Sequence, residues 1–159
     1  MLVPVILFCS AFSSFAGSPE TKQPLTIEVP SDWKVEYTPK DGIPFYSLSH
    51  ESKLGDIAIT SSPFPANKEA IPKNLDLMAK RYLTPNGSLS FENPDQKPGA
   101  IEGDTLSGSF VVLFFKDSPI IQALFIVGDT QSMWYGEFTG TKEMWGKALD
   151  IIKKIKRTP

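Results

Sequence analysis

The chain has 159 residues, of which 41% are hydrophobic and 21% charged, and its formal net charge is -2 at pH 7. This balance is typical of a globular protein and excludes extensive disorder. A charge so close to zero also lacks the concentration of Lys and Arg that favours binding to nucleic acid.

The first seventeen residues form an apolar segment that ends in small side chains. Leu2–Phe8 is apolar throughout, and Ser14-Phe15-Ala16 has the small-x-small form that signal peptidases cut, so residues 1–17 are predicted to be a signal peptide. The segment is too short for a stable membrane anchor, which needs about 20 apolar residues. It lacks a preceding basic residue, and an apolar strand or helix of the mature fold is the alternative. We expect an exported protein, periplasmic or secreted.

The single cysteine, Cys9, lies within the predicted signal peptide. Phe8 stands where a lipoprotein signal requires a small residue, so Cys9 is not expected to carry a lipid. The mature chain would then have no disulfide, and its stability would come from its core. Residues 18–24 are predicted to be a flexible spacer and residues 25–157 a single globular domain.

Short segments of alternating apolar and polar residues follow the spacer. They predict four strands, at Leu25–Val29, Trp33–Tyr37, Tyr46–His50 and Ile57–Thr60. Turn-forming sequences separate them, including Asp41-Gly42 at one tip. The opening third of the chain should therefore be a run of short antiparallel strands.

The hydrophobic period then changes. Apolar residues recur at helical spacing from Leu75 to Tyr82 and predict a helix over about 72–83. Residues 84–99 are rich in Pro, Gly and Asn, and a connection of this length is either functional or contains a short strand near 89–91. Asn86-Gly-Ser88 matches the N-glycosylation acceptor, although an Asn-Gly turn is the simpler interpretation.

The most hydrophobic part of the chain predicts three long strands, at Ala100–Lys116, Pro119–Asp129 and Ser132–Phe138. The first two are apolar on both faces. Such strands have to be covered on both faces, so they should lie in the middle of a sheet with a layer above and below it.

A closing helix is predicted to begin at Thr141, a suitable N-cap residue, and its apolar stripe runs from Met144 to Ile155. This helix would cover one face of the sheet and the central helix the other. The predicted fold class is therefore α+β, with an antiparallel sheet flanked by helices on both faces, an α-β-α sandwich.

Residues that could carry chemistry are few. His50, the only histidine, has Glu51 and Asp56 nearby, but no second His or Cys supports a metal site. Ser107-Gly-Ser109 lacks the flanking pattern of a nucleophile elbow. A Ser-His-Asp arrangement can form from residues distant in sequence, so a hydrolase would require a pocket that holds His50 beside a serine and a carboxylate. We expect no catalytic residues, no metal and no cofactor.

Two motifs resemble a known family. Val29-Pro-Ser-Asp-Trp33 resembles the proline-x-x-Trp turn of PsbP-like domains, and Trp134-Tyr-Gly-Glu-Phe138, followed by the helix with Trp145, resembles their final strand and helix. The chain thus resembles the PsbP-like and DcrB-like domain family over nearly all of its mature length. The resemblance implies an α-β-α sandwich and a non-enzymatic accessory protein that binds other proteins. The absence of a lipobox departs from the DcrB-type lipoproteins.

Two aromatic residues on predicted loops are candidate partner-binding anchors. Phe64 lies between two prolines, and Phe91 lies in the long connection. Apolar loop residues can anchor a partner, although a small cluster beneath the loop explains them equally well. The leading hypothesis is an exported, monomeric, non-catalytic accessory domain that binds another envelope or extracytoplasmic protein through these residues and a sheet edge. The alternative is a small-molecule or lipid binder with a cavity between sheet and helix, and a hydrolase comes third.

Overall fold

The structure, a computed structural model, describes residues 23–62, 67–82, 91–92, 98–115 and 117–159. The predicted signal peptide, residues 18–22 of the predicted spacer and the glycosylation acceptor Asn86 lie outside the described residues. None of the described helices combines the length and apolarity needed to cross a membrane.

Strands dominate the described part of the chain, together with two α-helices and one turn of 3-10 helix. In chain order they are β1 (Leu25–Thr26), β2 (Trp33–Tyr37), β3 (Phe45–His50), β4 (Gly55–Ser61), the 3-10 turn (Lys68–Ala70), α1 (Ile71–Tyr82), β5 (Phe91–Glu92), β6 (Gly99–Glu102), β7 (Ser107–Phe115), β8 (Ile120–Gly128), β9 (Met133–Thr141), α2 (Lys142–Lys153) and β10 (Lys156–Arg157).

Eight of these strands form one antiparallel sheet. The strand order is β2-β3-β4-β9-β8-β7, and the short strands β5 and β6 both pair with the outer edge of β7. β1 and β10 form a separate two-residue ribbon. The prediction of short antiparallel strands in the opening third is confirmed for β2, β3 and β4. The strand predicted at Leu25–Val29 is shorter and ends at Thr26.

The long strand predicted at Ala100–Lys116 is wrong, because it is a hairpin of two strands. β6 folds back on β7, so that Ala100 pairs with Ser109. The turn was not recognised in the sequence because it contains Leu106, an apolar residue that continues the hydrophobic pattern of the strands and is buried in the structure. Gly103 allows the tight approach, since a Cβ there would lie 2.5 Å from the carbonyl oxygen of Leu106.

The face of the sheet that contacts α2, the α2 face, is apolar across its width. Its side chains and those of the helix form one buried cluster, which includes Tyr46, Leu48, Ile57, Ile59, Phe125, Phe138, Met144, Trp145, Ala148, Ile151 and Ile152. Ile27 and Val29, which precede β2, also pack against this cluster. The main core therefore lies between the sheet and α2.

The opposite face, the α1 face, is apolar on β7, on β8 and at the start of β9, where Met133 and Tyr135 lie. There Ile71, Leu75 and Ala79 of α1 pack against a second cluster, whose sheet members include Val111, Leu113, Leu124 and Ile126. On β2, β3, β4 and β9 the same face carries exposed polar side chains, among them Lys34, Glu36, Ser49, Asp56 and Thr139. About half of the α1 face is therefore open and polar.

The predicted α-β-α sandwich is wrong. The described part of the chain is mostly β, with 48% strand against 22% helix, and α1 and α2 have 12 residues each. A helix of that length is roughly 18 Å long, whereas strands lie about 4.8 Å apart. One such helix cannot cover a sheet seven strands wide. The prediction failed because it extended the two-faced pattern of β7 and β8 to strands that are polar on one face.

Candidate functional site

The two predicted anchor residues are described only in part. Phe64 lies outside the described residues. The backbone of Phe91 lies in β5, where it pairs with Phe115 of β7, but its side chain is outside the described part of the structure. The role of Phe64 and Phe91 in partner binding stays a prediction.

A shallow groove of about 390 Å³ runs along α1 where the helix borders the open half of its sheet face. Its lining residues are Asn74, Leu77, Met78, Arg81 and Tyr135, and we call it the α1 groove. Leu77 is 51% exposed, although it is a large apolar residue. Met78 and Tyr135 are half-buried and connect the groove to the cluster beneath α1.

The helix beside this groove is basic. It contains three basic side chains, Lys73, Lys80 and Arg81, and one acidic side chain, Asp76, so its net side-chain charge is +2. Lys80 Nζ lies 2.7 Å from Asp76 Oδ2, one turn earlier on an exposed surface. Exposed pairs of this kind contribute little to stability, and the pair leaves the positive balance of the helix in place.

A second groove, of about 570 Å³, lies between the segment 28–32 and α2. We call it the α2 groove. Its lining combines apolar and charged residues of both signs, namely Glu28, Val29, Pro30, Asp32, Lys147, Asp150, Ile151 and Lys154. The groove lies on the outer side of α2, and the interface between this helix and the sheet is filled by buried side chains such as Phe138, Trp145 and Ala148.

At one end of the α2 groove, three side chains form a hydrogen-bonded chain around His50. The imidazole is 7% exposed, and the ring of Trp33 packs against it edge-on with 5.3 Å between ring centroids. His50 Nε2 lies 3.0 Å from Asp32 Oδ2, and His50 Nδ1 lies 2.7 Å from Ser52 Oγ. The chain is therefore Ser52–His50–Asp32.

The hydrogen bonds fix the tautomer of the imidazole. The backbone N–H of Ser52 donates to His50 Nδ1 over 3.1 Å. An amide can only donate, so Nδ1 has to be the unprotonated nitrogen, and Nε2 carries the proton that it donates to Asp32.

Asp32 connects this cluster to α2. Lys147 Nζ lies 3.8 Å from the same Oδ2 atom that accepts from His50. The hydrogen bond from His50 lowers the pKa of Asp32 below its ordinary value, and the nearby positive charge of Lys147 acts in the same direction. Asp32 is therefore held in its ionised form beside the imidazole.

The hairpin of β2 and β3 brings these residues together. Trp33 and His50 are partners across the two strands, and the Glu51 N–H donates to the carbonyl oxygen of Asp32. Ser52 follows in the turn after β3, which the Lys53 N–H closes by donating to the His50 carbonyl oxygen. Two strand ends and one turn therefore determine the geometry.

Sequence reasoning named His50 but not its partners. Of the two carboxylates proposed beside it, Asp56 pairs with Ser49 and projects from the opposite face of the sheet. Within the described ranges, no three His, Cys, Asp or Glu side chains form a group that could hold a metal. The signal for Ser52 was its position two residues after the histidine. The signal for Asp32 was its position directly before the predicted strand Trp33–Tyr37, which is as long as the predicted strand Tyr46–His50 that ends at the histidine.

Comparison with known proteins gives little guidance. No family model and no curated protein matches the chain. Among solved structures, the chain is similar to a protein from Bacteroides thetaiotaomicron VPI-5482, determined by crystallography at 1.50 Å resolution, with 17% identity and a TM-score of 0.49. The match covers 86% of this chain and 46% of that one, so this chain spans less than half of the matched protein. The resemblance to PsbP-like domains stays a prediction.

Proposed function

We propose that the chain is an exported accessory domain that binds another protein of the envelope or extracytoplasmic space, and that the α1 groove is its docking site. One observation carries this proposal. Leu77 is exposed on a well-formed helix, beside a groove that half-buried Met78 and Tyr135 line. Exposed apolar residues that flank a groove are typical of interaction sites, where a buried anchor supplies most of the binding energy.

The charge of α1 indicates the chemistry of the partner. A helix with three basic side chains and one acidic side chain attracts a negatively charged surface. The expected partner segment is therefore acidic, with an apolar side chain that contacts Leu77. Residues 63–66 and 83–90 adjoin the two ends of the helical region in sequence. Phe64 and Phe91 are proposed as further anchors of the same surface.

The predicted signal peptide supports the location that we propose, periplasmic or secreted. The resemblance to PsbP-like accessory proteins supports a protein that acts by binding another protein. The alternative of a ligand cavity between sheet and helix has less support, because that interface is filled in the described part of the structure.

The test compares two exposed apolar residues. Leu77 and Ile43 are each 51% exposed, but Ile43 lies on the turn between β2 and β3 and does not line the α1 groove. Replacement of either residue by Asp should leave the fold intact, because neither contributes to the core. We expect Leu77→Asp to lower partner binding at least tenfold, and Ile43→Asp to leave it within twofold.

The partner is identified by photo-crosslinking in the envelope fraction, with a benzoylphenylalanine placed at position 77 or, as the control, at position 43. A protein crosslinked from position 77 and not from position 43 is then purified, and its affinity for both Asp variants is measured by calorimetry. Equal crosslinking from the two positions, or equal affinity of the two variants, would contradict the proposed docking site.

A further inference from the structure

The Ser52–His50–Asp32 chain has the connections of a nucleophile, a base and an orienting carboxylate. Both links, 2.7 Å from Ser52 Oγ to His50 Nδ1 and 3.0 Å from His50 Nε2 to Asp32 Oδ2, lie within hydrogen-bond reach. A nucleophile within reach of a base, which a third group orients, is the signature of an activated serine. Ser52 follows the histidine by two residues, whereas Asp32 is 18 residues away and meets His50 only in the folded hairpin.

The state of the imidazole is the one that a base requires. Nδ1 is unprotonated and faces Ser52, while Nε2 carries the proton and is held by Asp32. The ring is buried and packs against Trp33, which restricts its rotation. The carboxylate of Asp32 stabilises the imidazolium that forms when Nδ1 accepts a proton.

Access to the site is one-sided. His50 and Trp33 are buried, whereas Ser52 is exposed in the turn after β3, so a reagent can reach the hydroxyl from solvent. Leu54, two residues later, is also an exposed apolar residue. Because the hydroxyl is exposed, a small activated ester can reach it.

We propose that Ser52 is a nucleophile activated by His50, and that it accepts acyl groups from small activated esters. Ser52 and His50 are the catalytic residues, and Asp32 is a positioning residue. This activity goes beyond partner binding and uses residues that lie apart from the α1 groove.

The reaction proceeds in two steps. Ser52 Oγ attacks the ester carbonyl carbon while His50 Nδ1 takes the hydroxyl proton, and a tetrahedral oxyanion forms. The bond from carbon to the alkoxy oxygen then breaks, the proton passes from Nδ1 to that oxygen, and an alcohol leaves an acyl ester on Ser52. Water attacks this ester in the second step, its proton passes through His50 to Ser52 Oγ, and a carboxylic acid is released.

The Ser52 N–H has a defined part in this sequence. It donates to Nδ1 in the resting state. When Nδ1 is protonated, the nitrogen can no longer accept, and the amide is released next to the carbon that bears the oxyanion. A backbone N–H beside the nucleophile is a suitable donor to that oxyanion.

The experiment treats the whole chain with an alkyl fluorophosphonate, in which Ser Oγ displaces fluoride from phosphorus and the hydroxyl proton leaves through His50. Mass spectrometry of peptides measures labelling at Ser52 and at Ser118, an exposed serine on the turn before β8. General-base assistance typically accelerates such a step by roughly 10²–10⁴-fold. We expect labelling of Ser52 to be at least about 100-fold faster than labelling of Ser118.

His50→Gln should reduce this labelling to the rate of the control serine, provided that thermal melting shows a folded protein. Asp32→Asn, which alters the half-buried carboxylate at the edge of the cluster, should slow labelling of Ser52 and leave labelling of Ser118 unchanged. In the unsubstituted chain, labelling should fall at acidic pH because the protonated imidazole cannot accept a proton. Equal labelling of Ser52 and Ser118 in that chain, or a pH-independent rate at Ser52, would overturn the proposal even if His50→Gln does not fold.

Discussion

Replacement of Tyr46 by phenylalanine removes one hydroxyl from the centre of the core and leaves the ring in place. Tyr46 is 0% exposed, and its hydroxyl serves both backbone groups of Leu25, which is 1% exposed. The Leu25 N–H donates to Tyr46 Oη over 2.8 Å, and the hydroxyl donates to the Leu25 carbonyl oxygen over 3.3 Å. The Thr158 N–H donates to the Pro24 carbonyl oxygen, so Pro24 and Thr158 form a hydrogen-bonded pair. Hydrogen-bonded and non-hydrogen-bonded pairs alternate along an antiparallel ladder, so the backbone N–H and C=O of the next residue, Leu25, point away from β10.

The loss of stability in Tyr46→Phe can be estimated from these two hydrogen bonds. A hydrogen bond contributes a net of about 1 kcal/mol, and a buried group that loses its partner costs about 1–3 kcal/mol. The N–H and the carbonyl oxygen of Leu25 would both lose their hydrogen-bond partner. We therefore expect Tyr46→Phe to lower the free energy of unfolding by about 2–3 kcal/mol. For a domain of this size that corresponds to a fall in Tm of roughly 5–10 °C.

Urea unfolding followed by circular dichroism measures the change, and Tyr135→Phe is the control. The Tyr135 hydroxyl is half-buried and accepts from Ser62 Oγ over 3.5 Å, the outer limit of a hydrogen bond. Its removal should cost less than about 1 kcal/mol. If Tyr46→Phe is no less stable than Tyr135→Phe, the hydroxyl does not hold the N-terminal segment and the reasoning fails.

Three further changes are predicted from single contacts. The pKa of Asp32 is lower in the folded protein than its unfolded value of 3.8, so the ionised carboxylate stabilises the fold fully above pH 3.8. This stabilisation is lost as the pH falls through the folded pKa. Asp32→Asn should therefore make the free energy of unfolding, monitored by fluorescence, depend less on pH below about pH 4. Gly136→Ala would place a Cβ 2.0 Å from Cζ of buried Phe125, and it should destabilise the protein by about 3 kcal/mol in urea unfolding. Gly146→Ala, on the exposed side of α2 with nothing within 4 Å, should instead stabilise it by about 0.5–1 kcal/mol in the same assay. An equal effect of the two alanines would contradict both assignments.

The helices were predictable because their signals are local. The predicted helix over 72–83 is α1 at Ile71–Tyr82, and the predicted N-cap Thr141 accepts a hydrogen bond from the Met144 N–H before α2. Helical periodicity and capping both operate within a few residues of chain. The same local character explains why β2, β3 and β4 were located within a few residues of their observed ends.

The fold class could not be predicted from the alternation of apolar and polar residues along the strands. A strand that is apolar on both faces shows that something covers it, but not how far that cover extends. In the structure α1 covers β7 and β8, and the polar residues of β2 to β4 occupy the remainder of that face. Those polar residues are visible in the sequence, and their exposure on one common face becomes evident only once the strand register is known.

The cluster around His50 was missed for a related reason. Asp32 and His50 are 18 residues apart and become neighbours only because β2 and β3 pair with Trp33 opposite His50. A shift of that register by one residue would turn the imidazole to the other face of the sheet. The exposure of Leu77 could have been read from the sequence, because its neighbours at helical spacing are polar, but the sequence analysis did not single it out. Those neighbours are Lys73, Asn74, Lys80 and Arg81.

The ribbon of β1 and β10 has a mechanical consequence. The strands are antiparallel, with Leu25 opposite Arg157 and Thr26 opposite Lys156, so both outward-leading chain segments leave from the same end of the ribbon. A pulling force applied through the segments before Gln23 and after Thr158 would break these pairs one after another, as a zipper opens, rather than all at once. The ribbon would therefore detach at low force, and the eight-stranded sheet behind it would bear load only after both ends had been released.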